Sequence, residues 1–275
     1  MEHSPRPPTG NYPLELRPGE INRLRIQSEA LKFDAKTMLD KIGVAKGWHC
    51  LDLGCGAGGI MDLLSTSVCN IGYVVGLDSN PKLLNAAKEW TTTLGLKNTE
   101  FIRGDAYATR LPDESFDLVH IRFLLGTAGE PERLVKEAKR LTRKGGVIAI
   151  QEPDSSMLGC FPLHPAFDRQ KQLLIKGFAV VGADLKLGRK AYHLISAEGL
   201  ADVTYRPFIL GFHNSDPMAD YLPQTIESIR TTLISRRIAS GEEIDRLIDE
   251  CRNHLANPTT VSNSFLVAQV WGWKK

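Results

Sequence analysis

No long apolar run occurs in this chain. Nothing approaches the roughly 20 residues that span a bilayer, and the nearest fragments are as short as Val147-Ile148-Ala149-Ile150, so membrane insertion is not expected. A charge excess of one sign is missing too. Lys and Arg total 34 against 32 Asp and Glu, a formal net charge of +2, which gives no electrostatic case for nucleic acid or an anionic membrane as partner. The five cysteines, Cys50, Cys55, Cys69, Cys160 and Cys251, are odd in number, scattered and never spaced C-x-x-C. Neither a disulfide framework nor a zinc ribbon is indicated, and a reducing, cytoplasmic compartment is expected. Residues 1–10, MEHSPRPPTG, carry no apolar core of the kind a secretion signal needs. Residues 1–17 are therefore expected to be a flexible N-terminal arm. Beyond that arm there is no low-complexity segment and no solenoid-period repeat.

What is present is the composition of an ordinary globular chain: 275 residues, 42% hydrophobic and 24% charged, enough for one large domain with a sizeable core. Two helices are expected over 20–31 and 36–42. From residue 49 the pattern alternates: strand 49–53, helix 58–65, strand 73–78, helix 81–94, strand 100–103, strand 116–121, helix 130–141 and strand 147–151. Such a βαβαβ run predicts a parallel sheet covered on both faces. After Pro153 the regularity weakens, with 157–163 loop-like, helices over 166–181 and 191–198, and a strand at 203–211. Met218, Leu222, Ile226, Ile229 and Leu233, then Ile244, Leu247, Ile248 and Cys251, recur at helical spacing. A last strand is read at 264–271. The fold class is thus α/β, a doubly wound Rossmann-like sheet of seven strands with N-terminal helices. Residues 18–275 are read as one domain, its core at 48–154 and helical cap insertions near 155–190 and 215–257.

The strongest local signal is Leu51-Asp52-Leu53-Gly54-Cys55-Gly56-Ala57-Gly58-Gly59, between a predicted strand and a predicted helix. Glycines there let the backbone turn sharply and approach a ligand, and the following helix adds unpaired N–H groups. Gly54, Gly56 and Gly59 also satisfy G-x-G-x-x-G, so the loop alone fits nucleotide cofactors in general. Asp78 ends the second strand, 24 residues beyond Gly54, where a carboxylate accepts from both hydroxyls of a ribose. Asp105 ends the third strand and can take an adenine amino group. Asp52 lies two residues before the first glycine, where a pyrophosphate is repelled and a ligand bearing an ammonium and a sulfonium is tolerated.

With these residues in view the chain resembles the class I S-adenosylmethionine-dependent methyltransferases, in particular the small-molecule branch of the ubiquinone and menaquinone methyltransferases. The resemblance is carried by LDLGCGAGG (51–59), VVGLDSNPKLL (74–84), RGDA (103–106), FDLVHIRFLL (116–125) and LTRKGGVIAIQEPD (141–154). It implies an antiparallel last strand and S-adenosylmethionine as cofactor. Gly54 and Gly56, with Asp52 beside them, would hold the methionine part, Asp78 and Ser79 the ribose, and Asp105 and Ala106 the adenine. Ile121 and Arg122 would present backbone to the methionine part, and Tyr12 and Gln27 would close over it as a lid.

The implied reaction is methyl transfer to an O, N or C atom of a small, partly apolar acceptor. Where many relatives carry a His shortly after the fourth strand, this chain has Leu125-Gly126-Thr127. His120 and Glu152, at the C-terminal edge of central strands, are the candidate catalytic groups. No metal site is indicated, because Ile121-Arg122 stands where related magnesium enzymes have an acid. Two other readings share the glycine loop: an NAD-dependent oxidoreductase and a non-catalytic S-adenosylmethionine-binding regulator.

Overall fold

The computed structural model describes Leu14 and residues 19–275. Two helices come first, α1 (Glu20–Ala30) and α2 (Lys32–Ile42), the second stopped by Gly43 in the left-handed region. The alternating core follows: β1 (His49–Leu53), α3 (Met61–Val68), β2 (Tyr73–Asp78), α4 (Pro81–Thr93), β3 (Thr99–Arg103), β4 (Phe116–Arg122), the single turn α5 (Leu125–Ala128), α6 (Pro131–Leu141) and β5 (Thr142–Asp154). The helix expected from residue 58 begins at Met61, because Gly58 and Gly59 hold φ of 114° and 35° and remain part of the loop.

Beyond β5 come β6 (Gly159–Phe161), α7 (Pro165–Ala179), α8 (Ala191–Ala197), β7 (Ala201–Phe208), β8 (Gly211–His213), α9 (Tyr221–Ser228), α10 (Arg230–Ser235), α11 (Gly241–Leu255), β9 (Val261–Asn263) and β10 (Leu266–Trp273). The main sheet has seven strands in the order β3-β2-β1-β4-β5-β10-β7. Strands β1 to β5 pair in parallel, and β10 runs antiparallel between β5 and β7. The segment read as one strand over 203–211 is two. It turns at Leu210, whose N–H donates to the Ser264 hydroxyl, and β8 joins β6 and β9 in a separate three-stranded sheet. Residues 159–161, expected to be loop, supply one of its edges.

One face of the main sheet packs its apolar residues on α2, α3 and α4, through Met38, Leu39, Met61, Leu64, Cys50 and Leu118. The other packs on α6 and α8, through Leu134, Val135, Ile195, Leu51 and Ile121. A third cluster unites α7, α9, α10 and α11 above the C-terminal ends of the strands. In that cap Gly177 lets Ile229 and Leu233 come close to α7: a Cβ there would sit 2.9 Å and 3.0 Å from them. A 3₁₀ turn at Leu187–Lys190 lies directly on β5. A Cβ on its Gly188 would lie 2.7 Å from the Glu152 carbonyl oxygen and 3.0 Å from the Pro153 carbonyl carbon, both backbone atoms. Gly188→Ala is therefore expected to cost about 1–3 kcal/mol by overpacking, read as a lowered midpoint in chemical denaturation. An unchanged midpoint would show that the turn can lift off β5 at no cost.

Candidate functional site

The glycine loop is built by its own backbone. The N–H groups of Gly54 and Cys55 both donate to the Leu77 carbonyl, at 2.7 Å and 3.0 Å, which draws the end of β1 against β2. Gly54 holds φ +80°, and a Cβ on it would come within 2.8 Å of Leu124. Gly56 holds φ +54° with nothing within 4 Å of where its Cβ would project, and its N–H donates to Asp78 Oδ2 at 2.9 Å. Asp78 Oδ1 accepts from the Asn80 N–H at 2.8 Å, and Asn80 in turn caps α4. Asp78 thus locks the loop to the second strand. Burial raises its pKa against the opposing pull of the Asn80 and Gly56 N–H groups.

These elements open onto a cavity of about 740 Å³. One end is formed by the loop, Asp78, Ser79, Asp105 and Ala106, with Leu83 and Trp90 of α4 as an apolar wall. The other end is apolar and aromatic, walled by Phe123, Leu174, Phe178, Leu185 and Phe265, with Tyr221 and Gln27 as polar groups. Phe123 packs edge-on against Phe265, with centroids 5.5 Å apart, and holds φ +57° at the end of β4. A non-glycine residue there carries backbone strain of the kind concentrated at ligand sites.

Between the two ends sit Asp52 and Arg122. Asp52 is buried; its Oδ1 faces His120 Nδ1 at 2.7 Å, and its Oδ2 lies 2.9 Å from where a Cβ on Gly59 would stand. Arg122 donates from Nη2 to Ser28 Oγ at 2.6 Å, and Ser28 Oγ donates to the Gly59 carbonyl at 3.2 Å, tying α1 to both the loop and β4. The Arg122 Nη1 atom is buried without a hydrogen-bond partner, as is Arg25 Nε in α1. Arg25 lies over the Trp90 ring at 5.0 Å. Burial lowers the Arg122 pKa while Asp52 and Asp62 hold it up.

The sequence-predicted residues are distributed as follows. Asp52, Gly54, Gly56, Asp78, Ser79, Asp105, Ala106, Gln27, Arg122 and Glu152 line the cavity. Ile121 is fully buried in the sheet core and is not among the residues that line the cavity. Tyr12 lies outside the described residues. Asp105 Oδ1 accepts from the Tyr107 N–H at 2.9 Å, closing the turn after β3. His120 is fully buried and is not among the lining residues; Gln151 Nε2 meets its Nε2 at 3.0 Å, so both ring nitrogens are engaged. Sequence reasoning placed Arg25 in the expected lid beside Gln27 without giving it a role, and did not single out Ser28, Trp90 or Tyr221. For Tyr221 and Trp90 the signal was an aromatic on an otherwise amphipathic helix; for Ser28 there was none. Among the described residues no group of three or more His, Cys, Asp or Glu is placed to hold a metal ion.

Such a site defines a class: a doubly wound α/β protein whose glycine loop and two strand-end acids frame a cleft under a cluster of helices. A family described as "Methyltransferase domain" matches residues 45–197, and the chain belongs to that family. It is 34% identical over 138 residues to a demethylmenaquinone methyltransferase of Staphylococcus aureus, a match covering 50% of this chain and 56% of the relative. It is 32% identical over 127 residues to an uncharacterized 37.1 kDa protein of a Streptomyces fradiae transposon, covering 46% of this chain and 36% of the relative. The chain thus spans about half or less of the length of these curated relatives. The fold matches the YcgJ protein of Bacillus subtilis, with a TM-score of 0.59 at 18% identity over 88% of this chain and 99% of that one. A putative methyltransferase of Bacillus halodurans gives the same TM-score of 0.59 at 18% identity, over 87% and 99%.

Glu152 is a carboxyl in an unusual setting. It is fully buried, its Oε1 accepting from the Leu125 N–H at 2.8 Å and its Oε2 from the Gly126 N–H at 3.2 Å. Burial outweighs these two bonds and pushes its pKa up to about 8. The fold therefore prefers the protonated acid. This contribution to stability is fully present below the ordinary carboxyl value of 4.5 and is lost as pH rises through about 8. Wild-type Tm is expected to fall relative to Glu152→Gln between about pH 5 and pH 8, by several degrees, in paired thermal scans. Parallel curves over that range would place the carboxyl at an ordinary pKa.

Proposed function

We propose that the protein transfers a methyl group from S-adenosylmethionine to a small, largely apolar acceptor bound at the aromatic end of the cavity. The observation that carries this reading is a buried guanidinium with an unused nitrogen and a buried carboxylate, side by side at the glycine loop. Arg122 Nη1 is a buried cation with no acceptor, and Asp52 is a buried carboxylate with one oxygen turned toward the loop. Asp52 Oδ2 lies 2.9 Å, and Nη2 of the same Arg122 guanidinium 3.7 Å, from where a Cβ on Gly59 would stand. A zwitterionic amino-acid group answers both, its carboxylate toward Arg122 and its ammonium toward Asp52. A dinucleotide pyrophosphate answers one and is repelled by the other. Asp78 and Ser79 would hold the ribose and Asp105 and Ala106 the adenine, while Gly56 leaves room for close approach of the cofactor.

When bound, S-adenosylmethionine supplies an already activated methyl group and leaves as S-adenosylhomocysteine. The protein's part is alignment and exclusion of water. Phe123, Phe178 and Phe265 would seat the acceptor, and the Tyr221 hydroxyl, which burial keeps protonated by raising its pKa, would orient a polar atom of it. Gln27 lies 3.4 Å from that hydroxyl. Glu152, at the floor of this end, holds the turn that sets Leu124 against Gly54 and is a positioning residue. His120, with both nitrogens engaged, takes no proton from the acceptor.

Calorimetric titration with S-adenosylmethionine, S-adenosylhomocysteine and NAD tests the reading. Both adenosyl ligands are expected to bind and NAD is not. Gly56→Ala, whose Cβ would enter open space, should weaken both by about tenfold or more while leaving the circular dichroism spectrum intact. Binding of NAD without either adenosyl ligand would replace this proposal with an oxidoreductase. Adenosyl binding without methyl transfer to any of a panel of apolar acceptors would favour a regulator.

A further inference from the structure

Across the α2 face of the main sheet, at the C-terminal ends of its parallel strands, a row of polar side chains, all but the half-buried Arg206 buried, follows the apolar layer. It runs from Asp52 on β1 to His120 on β4, Gln151 on β5, Gln269 on β10 and Arg206 on β7, and ends at Asp34 on α2. The register places them together: Asp52 faces His120, Gln269 faces Gln151, and Gln269 faces Arg206 across the strand pairs. The links are Asp52 Oδ1 to His120 Nδ1 at 2.7 Å, His120 Nε2 to Gln151 Nε2 at 3.0 Å, Gln151 Oε1 to Gln269 Nε2 at 3.1 Å, Gln269 Oε1 to Arg206 Nη1 at 2.6 Å and Arg206 Nη2 to Asp34 Oδ1 at 2.6 Å. Asp52, His120, Gln151 and Gln269 are all buried.

The direction of every hydrogen bond in this row is dictated from its far end. The Asp34 backbone carbonyl can only accept, and it receives Gln269 Nε2 at 2.9 Å; the Arg206 guanidinium can only donate. Together they orient the Gln269 amide, whose second N–H then points at Gln151. Gln151 must present its oxygen to Gln269, and so donates from nitrogen to His120. The His120 Nε2 is therefore an acceptor, and its proton sits on Nδ1, donated to Asp52.

We infer that His120 is a positioning residue, held as the Nδ1–H tautomer by Gln151, Gln269 and Arg206, and that its task is to fix the Asp52 carboxylate so that its other oxygen faces the ammonium of an amino-acid-bearing cofactor. This inference rests on the cofactor reading above. The tautomer, however, is a property of the protein without ligand and is measured separately. Gln269→Glu keeps size and the bond from Arg206 but removes both donated hydrogens, so that Gln151 is no longer oriented.

The test has two arms. Nitrogen-15 NMR of imidazole-labelled wild-type protein is expected to show His120 protonated on Nδ1 and not on Nε2; a proton on Nε2 would overturn the inference whatever the protein binds. Calorimetry on wild type and Gln269→Glu then uses S-adenosylhomocysteine, which carries the ammonium, and 5′-methylthioadenosine, which lacks the amino-acid part. The variant should lose about tenfold in affinity for the first and almost nothing for the second. An equal loss for both would reduce the row to general structural support, and no loss for either would uncouple it from Asp52. Failure of the wild type to bind either ligand would overturn the cofactor reading and this inference with it, while the imidazole spectrum would still report the row.

Discussion

A sheet covered on both faces has no water to offer a polar group, and this constraint shapes everything at the C-terminal edge of the strands. Burying a carboxylate such as Asp52 in that setting is costly unless its oxygens are met by donors. The structure meets one oxygen with His120 and leaves the other toward the cavity. His120 would itself be an unpaired buried group without Gln151, and Gln151 without Gln269. Each strand that contributes Cys50, Leu118, Ala149 or Trp271 to the apolar layer supplies a polar residue two positions away: Asp52, His120, Gln151 and Gln269. The period of two that builds the core builds the polar row beside it.

The same economy of contacts appears around α5. This four-residue turn is held from below by Glu152 and from the side by Asp184, whose N–H donates to the Gly126 carbonyl at 2.6 Å. Leu124, just before it, closes on Gly54. One short turn therefore connects the glycine loop, the end of β5 and the segment leading into the cap, so that the two ends of the cavity share a wall. On the opposite side α1 is joined to the loop and to β4 through Ser28, and to α9 through Glu20, which accepts from the Ser228 hydroxyl at 3.0 Å.

Much of this was legible in the sequence, and what was not has a common cause. Strands β1 and β2 lie where the pattern put them, at His49–Leu53 and Tyr73–Asp78, because strands buried on both faces read as short, bounded apolar runs. The glycine loop and the strand-end acids were visible as residue types at fixed places in an alternating pattern, and they do line the cavity. The three-residue strands β6, β8 and β9 are too short for any period to show. His120 was conspicuous as a polar residue in a central strand, which suggested a base. What decides its surroundings are partners 68 and 31 positions away, and spacing along the chain carries no trace of them. Ser28 and Arg122 meet across 94 residues for the same reason. Local pattern locates the elements; side-chain pairing between distant elements is settled only by packing.

The placement of β10 gives it two tasks. The last of the described strands in sequence, it lies in the interior of the main sheet, between β5 and β7, and it carries Gln269. Without it, β5 presents an unpaired edge of the kind that invites mispairing, and Gln151 has no orienting partner. The strand that seals the edge of β5 and the residue that orients Gln151 are thus one element. The glycine loop is a local motif, but the polar row behind it is complete only with Gln269, on the strand that joins β5 to β7.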